Sequence, residues 1–205
     1  MSRPDYMKQI EERILSIPKG AVFMTSDFLD LADTTAINKA LSRLAANGTI
    51  RRIVRGVYDR PAFSELLHED AAPDMEQVAK AFARNYGWTI VPCGDIALNL
   101  LGLSTQVPAV WQYVSDGPYR QYTIGNRTLS FKHGANKDVS GLSDRYALVI
   151  QALKAMGKDR VDHSTLEKLA SILSPEDRLA FLKDTQRRTA WINRVAKELV
   201  ALGRE

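Results

Sequence analysis

Residues 34–60 read TTAINKALSRLAANGTIRRIVRGVYDR, and the reading of this stretch decides the fold. Ile37, Leu41 and Leu44 recur at helical spacing with Ala40 beside them, which predicts an amphipathic helix. Asp33 or Thr34 can cap its start, and Asn47-Gly48 ends it, because both residues tolerate the left-handed backbone of a C-cap. Thr35, Asn38, Lys39, Ser42 and Arg43 fall on the other side or its flanks. Short polar and basic side chains of this kind reach phosphates and base edges in a major groove. Ile50, Ile53 and Val57 then alternate imperfectly with Arg51, Arg52 and Arg55. Gly56 permits the bend of a two-armed ribbon, and Tyr58 returns along the second arm. The stretch holds six Lys/Arg against one acidic residue, Asp59, so the positive charge is concentrated on the element expected to touch DNA. Helix followed by basic ribbon is the recognition half of a winged helix-turn-helix. Amphipathic helices and basic hairpins also occur on ordinary surfaces, and winged helices serve as protein-interaction modules, so that second reading stays open.

The flanking sequence fits the same motif. Residues 6–17 carry Ile10, Ile14, Leu15 and Ile17 among charges and predict a first helix, broken by Pro18-Lys19-Gly20. Residues 21–24 are a short apolar run suited to a third strand beside the ribbon. Thr25 or Ser26 can cap a second helix that buries Phe28, Leu29 and Leu31. Helix, strand, helix, helix, ribbon is the winged-helix order, and it assigns residues 1–60 to a DNA-binding domain. Residues 61–74 contain Phe63, Leu66 and Leu67 and then an acidic, proline-bearing run, and read as a connector.

Residues 75–205 read as a second, α+β domain. A helix over 75–86 presents Val78, Ala79 and Phe82 and stops at Gly87. A strand over 88–91 is followed by a turn in which Asp95 can cap an apolar helix over 96–101. A strand over 109–115, the turn Asp116-Gly117-Pro118, and strands 120–124 and 127–132 about Gly125-Asn126 predict a small, mainly antiparallel sheet with a two-residue hairpin. The rest is helical: 146–156, a short helix marked by Leu166, Leu169 and Ile172, one opened by Ser174-Pro175-Glu176-Asp177, and a last one over 189–202. Helices segregated after a sheet define the α+β class.

Composition narrows the chemistry. The chain has 205 residues, 45% of them hydrophobic, a net charge of +4 and a pI near 9.2, which permits a nucleic-acid partner without requiring one. One cysteine, Cys93, excludes an internal disulfide and fits a reducing compartment. The first residues, MSRPDYMKQ, hold no apolar signal core, and no run approaches the length of a membrane span, so the expected location is the cytoplasm with no membrane partner. His68, His133 and His163 share no ligand spacing with Cys93 or with each other, so no metal is expected. A nucleophilic Cys93 lacks an evident base, and a small buried thiol at a strand end is the simpler account. No phosphate-binding loop occurs. Gly94-Asp95 lacks the acidic pattern of a two-metal nucleotidyltransferase. Lys137, Asp138 and Asp144 are thin material for a nuclease. The reading is a non-enzyme without cofactor.

Two surfaces of the second domain have interface character. Tyr113, Tyr119 and Tyr122 stand among Arg120, Arg127 and Lys132, residue types enriched at binding hot spots, although alternate positions must face a core. Arg187-Arg188 precede Trp191, an unfavourable charge at a helix start unless the helix begins elsewhere or an acidic partner meets it.

Taken together, the segments Ala40-Leu41-Ser42-Arg43-Leu44, Gly48 and Ile50-Arg51-Arg52-Ile53-Val54-Arg55-Gly56-Val57-Tyr58 resemble the N-terminal winged helix of AbiEi-type antitoxins. The run Asn99-Leu100-Leu101-Gly102-Leu103-Ser104-Thr105-Gln106-Val107-Pro108, with Asp116-Gly117-Pro118 and Ile124-Gly125-Asn126, is similar to a bacterial group of uncharacterised proteins carrying that head. The resemblance implies an antitoxin of a type IV toxin–antitoxin system. Its winged helix would bind double-stranded DNA at inverted repeats in its own promoter, as a monomer or a DNA-induced dimer. Thr35, Asn38, Lys39, Ser42 and Arg43 would face the major groove, and Arg51, Arg52 and Arg55 the backbone or minor groove. The second domain would counter a nucleotidyltransferase-like toxin. The alternative is a DNA-tethered protein-interaction module with no operator of its own.

Overall fold

A computed structural model describes residues 6–66, 68–134 and 141–202. Leu67, Lys137 and Asp138, named above, lie outside the described residues. The chain is mixed α+β, as the sequence predicts, and divides into two compact units between Trp88 and Thr89. Among the described residues no helix is long and apolar enough to cross a membrane.

The first unit runs α1 (Tyr6–Ser16), β1 (Val22–Met24), a 3-10 turn (Thr25–Phe28), α2 (Thr34–Ala46), β2 (Arg51–Val54) and β3 (Val57–Asp59). A two-strand hairpin, β4 (Phe63–Ser64) and β5 (Glu69–Asp70), and α3 (Met75–Tyr86) complete it. The order β1-β3-β2 is antiparallel throughout, so the predicted third strand does join the ribbon. Ile10 and Ile14 of α1, Phe23, Phe28, the α2 stripe Ile37-Ala40-Leu41-Leu44, Ile50 and Tyr58 form its core. Phe23 meets Phe28 edge-on at 5.6 Å, a geometry that matches ring quadrupoles.

Asp33, not Thr34, caps α2: its carboxylate accepts from the Ala36 N–H at 2.9 Å. At the other end Gly48 adopts φ +75°, the Gly48 N–H returns to the Ala45 carbonyl and the Thr49 N–H to that of Leu44. These two bonds are a Schellman stop, and they turn the chain directly into β2.

Two expectations change here. The predicted second helix is only the four-residue 3-10 turn, and Leu29, expected inside, is exposed. Asp27 folds back onto the Met24 N–H at 2.8 Å, and Asp33 is already extended as the cap of α2, so a full helix has no room between them. The connector is structured as a hairpin pairing Phe63 with Asp70 and Ser64 with Glu69. The helix α3, expected in the second domain, belongs to the first unit and lies against β1. Asp74 caps it through the Glu76 and Gln77 N–H groups, and Met75, Val78, Ala79 and Phe82 are buried.

The second unit runs β6 (Ile90–Pro92), α4 (Asp95–Leu100), β7 (Val110–Ser115), β8 (Arg120–Ile124) and β9 (Arg127–His133). Then come α5 (Asp144–Met156), a 3-10 turn (Lys158–Arg160), α6 (His163–Ile172), α7 (Pro175–Thr185) and α8 (Ala190–Ala201). The sheet order is β6-β7-β9-β8; the outer pairs are antiparallel and β7·β9 is parallel. The hairpin β8–β9 turns at Gly125 (φ +58°) with Ile124 opposite Arg127, as the Gly-Asn pair predicts. The helical core gathers Tyr146, Val149, Ile150, Leu153, Leu169, Phe181, Ile192 and Leu199.

Asp95 is the first residue of α4 rather than its cap; the capping position is Gly94, at φ +62°. Cys93 is buried, as expected, and desolvation pushes its thiol up to about 11, which keeps it protonated and unreactive. Arg188 donates to the Asp184 carbonyl at 3.1 Å, so it neutralises the C-terminal end of α7, where positive charge is favourable, before α8 begins.

Two predictions follow from charges built into the fold. Asp59 is 1% exposed and accepts two bonds from Arg51, at 3.1 and 2.5 Å. Asp59→Ala is expected to lower the urea midpoint by the equivalent of about 2–3 kcal/mol with the slope unchanged; an unaltered midpoint would contradict the pairing. Asp177 accepts from the Tyr146 hydroxyl at 3.0 Å and the Ser174 N–H at 3.2 Å, with Arg145 at 2.9 Å. The Tyr146 bond first, then the Ser174 N–H, holds its carboxyl below the usual carboxylate range. The folded state therefore favours the ionised form. The stabilisation is present above the unfolded value of about 4 and is lost as pH falls through the lower folded value. Asp177→Asn should flatten the acid limb of Tm against pH below about pH 4, leaving the share due to Asp30 and Asp162, which are also lowered. An acid limb identical to that of the native chain would contradict it.

Candidate nucleic-acid interface

One face of α2 is core and the other is open. Thr35, Asn38, Lys39, Ser42 and Arg43 are all exposed, as their spacing predicts. Asn38 is oriented by Thr25, whose hydroxyl donates to its side-chain oxygen at 2.9 Å, leaving the amide NH2 directed by a fixed partner. In the ribbon, Val54 pairs with Val57 across Arg55-Gly56, and Gly56 takes the positive φ (+80°) that the turn demands. The register slips between Arg52 and Val54, so Ile53 bulges; a bulge re-aims the side chains around it.

The arginines of the ribbon divide. Arg52 and Arg55 are exposed. Arg51 is held by the Asp59 carboxylate in a two-bond ion pair on a buried partner. A guanidinium so engaged supports the sheet and has part of its charge balanced by Asp59, while Arg51 itself stays half-buried. Among the described residues, Lys39, Arg43, Arg52 and Arg55 take part in none of the salt bridges of the protein. Four exposed cations on two adjoining elements make this face positively charged.

A groove of about 440 Å³ lies between these elements. Asn38 and Ser42 line it from α2, Arg52 and Arg55 from the ribbon, and Asn85 and Tyr86 from the end of α3. No carboxylate lines it among the described residues. Sequence reasoning missed the last pair because it placed α3 in the other domain. The signal lay in a long-range ion pair: Arg84 donates to Asp27 at 3.0 and 2.7 Å and fixes the end of α3 beside the turn preceding α2. That pairing raises the Arg84 guanidinium above its ordinary value.

The second predicted surface is divided by strand register. Tyr113 is 2% exposed and lies tilted against Phe131 at 5.9 Å, so it is a core residue and not a partner contact. Tyr122 is half-buried, edge-on to Phe131. Arg120, opposite Phe131, shares its face of the sheet, whereas Lys132, next along β9, points to the other. Tyr119, Arg120 and Arg127 are exposed. Elsewhere in this unit the distinctive run beginning at Asn99 is ordered by its own side chains. Asn99 donates to the Ser104 and Gln106 carbonyls at 3.4 and 3.1 Å, and Val107 is left 86% exposed. Among the described residues no cluster of His, Cys, Asp and Glu is arranged to hold a metal.

Comparison with known proteins adds the following. No curated protein matches the sequence. Among solved structures the chain is similar to the RV2827C protein from Mycobacterium tuberculosis, at 16% identity, over 98% of this chain and 78% of that one, with a TM-score of 0.49. A family model described as a family of unknown function, DUF6088, matches residues 9–180. With most of its length covered by that match, the chain belongs to the DUF6088 family.

Proposed function

We propose that this protein is a transcriptional regulator that binds the promoter of its own operon as double-stranded DNA, with α2 in the major groove and the ribbon on the adjoining backbone. The observation that carries the reading is the set of four exposed, unpaired cations on α2 and the ribbon, interleaved with Thr35, Asn38 and Ser42. Cations give affinity and short hydrogen-bonding side chains give sequence preference, so one surface supplies both. Inverted repeats would seat two copies about one helical turn apart, paired on the DNA.

We further propose that it is the antitoxin of a type IV toxin–antitoxin system, its second unit countering a nucleotidyltransferase-like toxin. Support comes from the resemblance of the segments within residues 40–58 to the winged helix of AbiEi-type antitoxins; in the second unit Val107 is an exposed apolar position on an ordered run. The alternative is a DNA-tethered protein-interaction module with no operator of its own, for which binding to DNA would be weak and indifferent to sequence.

The test is a titration of the purified chain against the duplex upstream of its own gene and against a scrambled duplex, each at two salt concentrations. The expected result is a strong preference for the native duplex that survives the higher salt. Lys39→Ala with Arg43→Ala should abolish that preference while leaving the circular dichroism spectrum intact. Loss of one phosphate-contacting cation, as in Arg55→Ala, should reduce the salt slope by about 1. Equal and steeply salt-sensitive binding to both duplexes would contradict an operator. Co-expression with a neighbouring nucleotidyltransferase-like gene tests the other half: growth should be rescued by the native chain, and persistent toxicity would contradict the antitoxin role.

A further inference from the structure

The groove beside α2 has a third wall that the winged-helix reading does not use. It is the last turn of α3, with Asn85 half-buried and Tyr86 44% exposed at its lip. We propose that Asn85 and Tyr86 are nucleic-acid contacts, seating the sugar–phosphate backbone of the duplex whose bases α2 reads. The inference rests on the proposed DNA-binding role and deepens it.

Three observations converge. The groove is chemically one-sided: Arg52 and Arg55 line it, most of the other side chains are hydroxyls and amides beside Met24 and Gly56, and no carboxylate lines it among the described residues. That composition suits an anion approached by hydrogen-bond donors, which is how neutral Asn and Tyr side chains take part in backbone contacts. The third wall is also rigid. Tyr86 is nearly parallel to Phe82 (6.2 Å, 2°) and stacks on Trp88 at 4.6 Å, so its ring is held before any ligand arrives. The bidentate Arg84–Asp27 pair fixes the same turn against the segment leading into α2. A contact set in advance costs little ordering on binding.

The electrostatic objection is that a helix C-terminus repels phosphate. The chain answers it locally: Gly87 takes the left-handed conformation, and the N–H groups of Gly87 and Trp88 both return to the Ala83 carbonyl. The arginines across the groove supply the attractive field. Arg84 is thus a positioning residue, acting through the placement of Asn85 and Tyr86, and its own charge is neutralised by Asp27.

The experiment varies charge at position 85 in the full chain and reads affinity for the upstream duplex over a series of salt concentrations. Asn85→Asp should weaken binding by about tenfold or more, and Asn85→Lys should strengthen it and steepen the salt slope by about one contact. Asn85→Ala should weaken binding several-fold with the salt slope unchanged, because a neutral donor releases no counterion. Gln9→Asp and Gln9→Lys, on an exposed α1 position outside the groove, report the general effect of charge. Equal effects at positions 9 and 85, or no effect of Asn85→Asp, would overturn the inference while leaving the role of α2 intact. No binding of any duplex by the native chain would overturn both.

Discussion

One carboxylate organises the first unit. Asp27 accepts the Met24 N–H at the end of β1 and receives both Nε and Nη2 of Arg84 from α3. It thereby joins the sheet, the tight turn ahead of α2 and a helix more than fifty residues further along. The turn is short because Asp27 closes it, and α2 can begin at once because Asp33 caps it. The orientation of the exposed face of α2 relative to the ribbon and α3 depends on these few bonds. Arg13 reinforces them, pairing with Asp30 while donating to the Asp27 carbonyl and lying 5.9 Å over the Phe28 ring.

The same logic sorts the basic residues. Arg13, Arg51 and Arg84 each meet a carboxylate, and Arg60 donates to the Leu15 and Ile17 carbonyls where α1 ends. These four hold elements together. Lys39, Arg43, Arg52 and Arg55 meet no carboxylate among the described residues, and they cluster on α2 and the ribbon. Net charge alone could not make this division, since a mildly basic chain is compatible with many partners. Pairing does so, because an arginine whose charge is balanced by a neighbouring carboxylate adds less positive field to the surface than one that meets none.

The parts of the fold that were legible in sequence are those fixed by neighbours along the chain. The α2 stripe, its Asn47-Gly48 stop, the Gly56 bend, the Gly125 hairpin and the Ser174-Pro175 helix start depend on spacing or on a residue's intrinsic backbone freedom. The parts that were not legible depend on distant partners. The turn at Thr25–Phe28 looks like a helix start until Asp27 is seen to close on Met24. The place of α3 rests on distant partners: its apolar face packs against β1, and Arg84 pairs with Asp27, 57 positions away. The parallel pairing of β7 with β9 inserts β9 between two strands that precede it, which no local signal announces. At the candidate site, the five exposed positions of α2 could be read from periodicity. The pairing of Arg51 required knowing that Asp59 is buried beside it, and the withdrawal of Tyr113 required the register that puts it opposite Phe131.

The proposed role requires that α2 and the ribbon form a nucleic-acid interface. The most direct measurement is the change in backbone and side-chain NMR signals of the full chain on adding its own upstream duplex. The largest shifts are expected in residues 34–43 and 52–56, including the Asn38 side-chain NH2 and the Arg52 and Arg55 Nε–H groups. Shifts confined to residues 89–202, or none on α2 at saturating duplex, would contradict it.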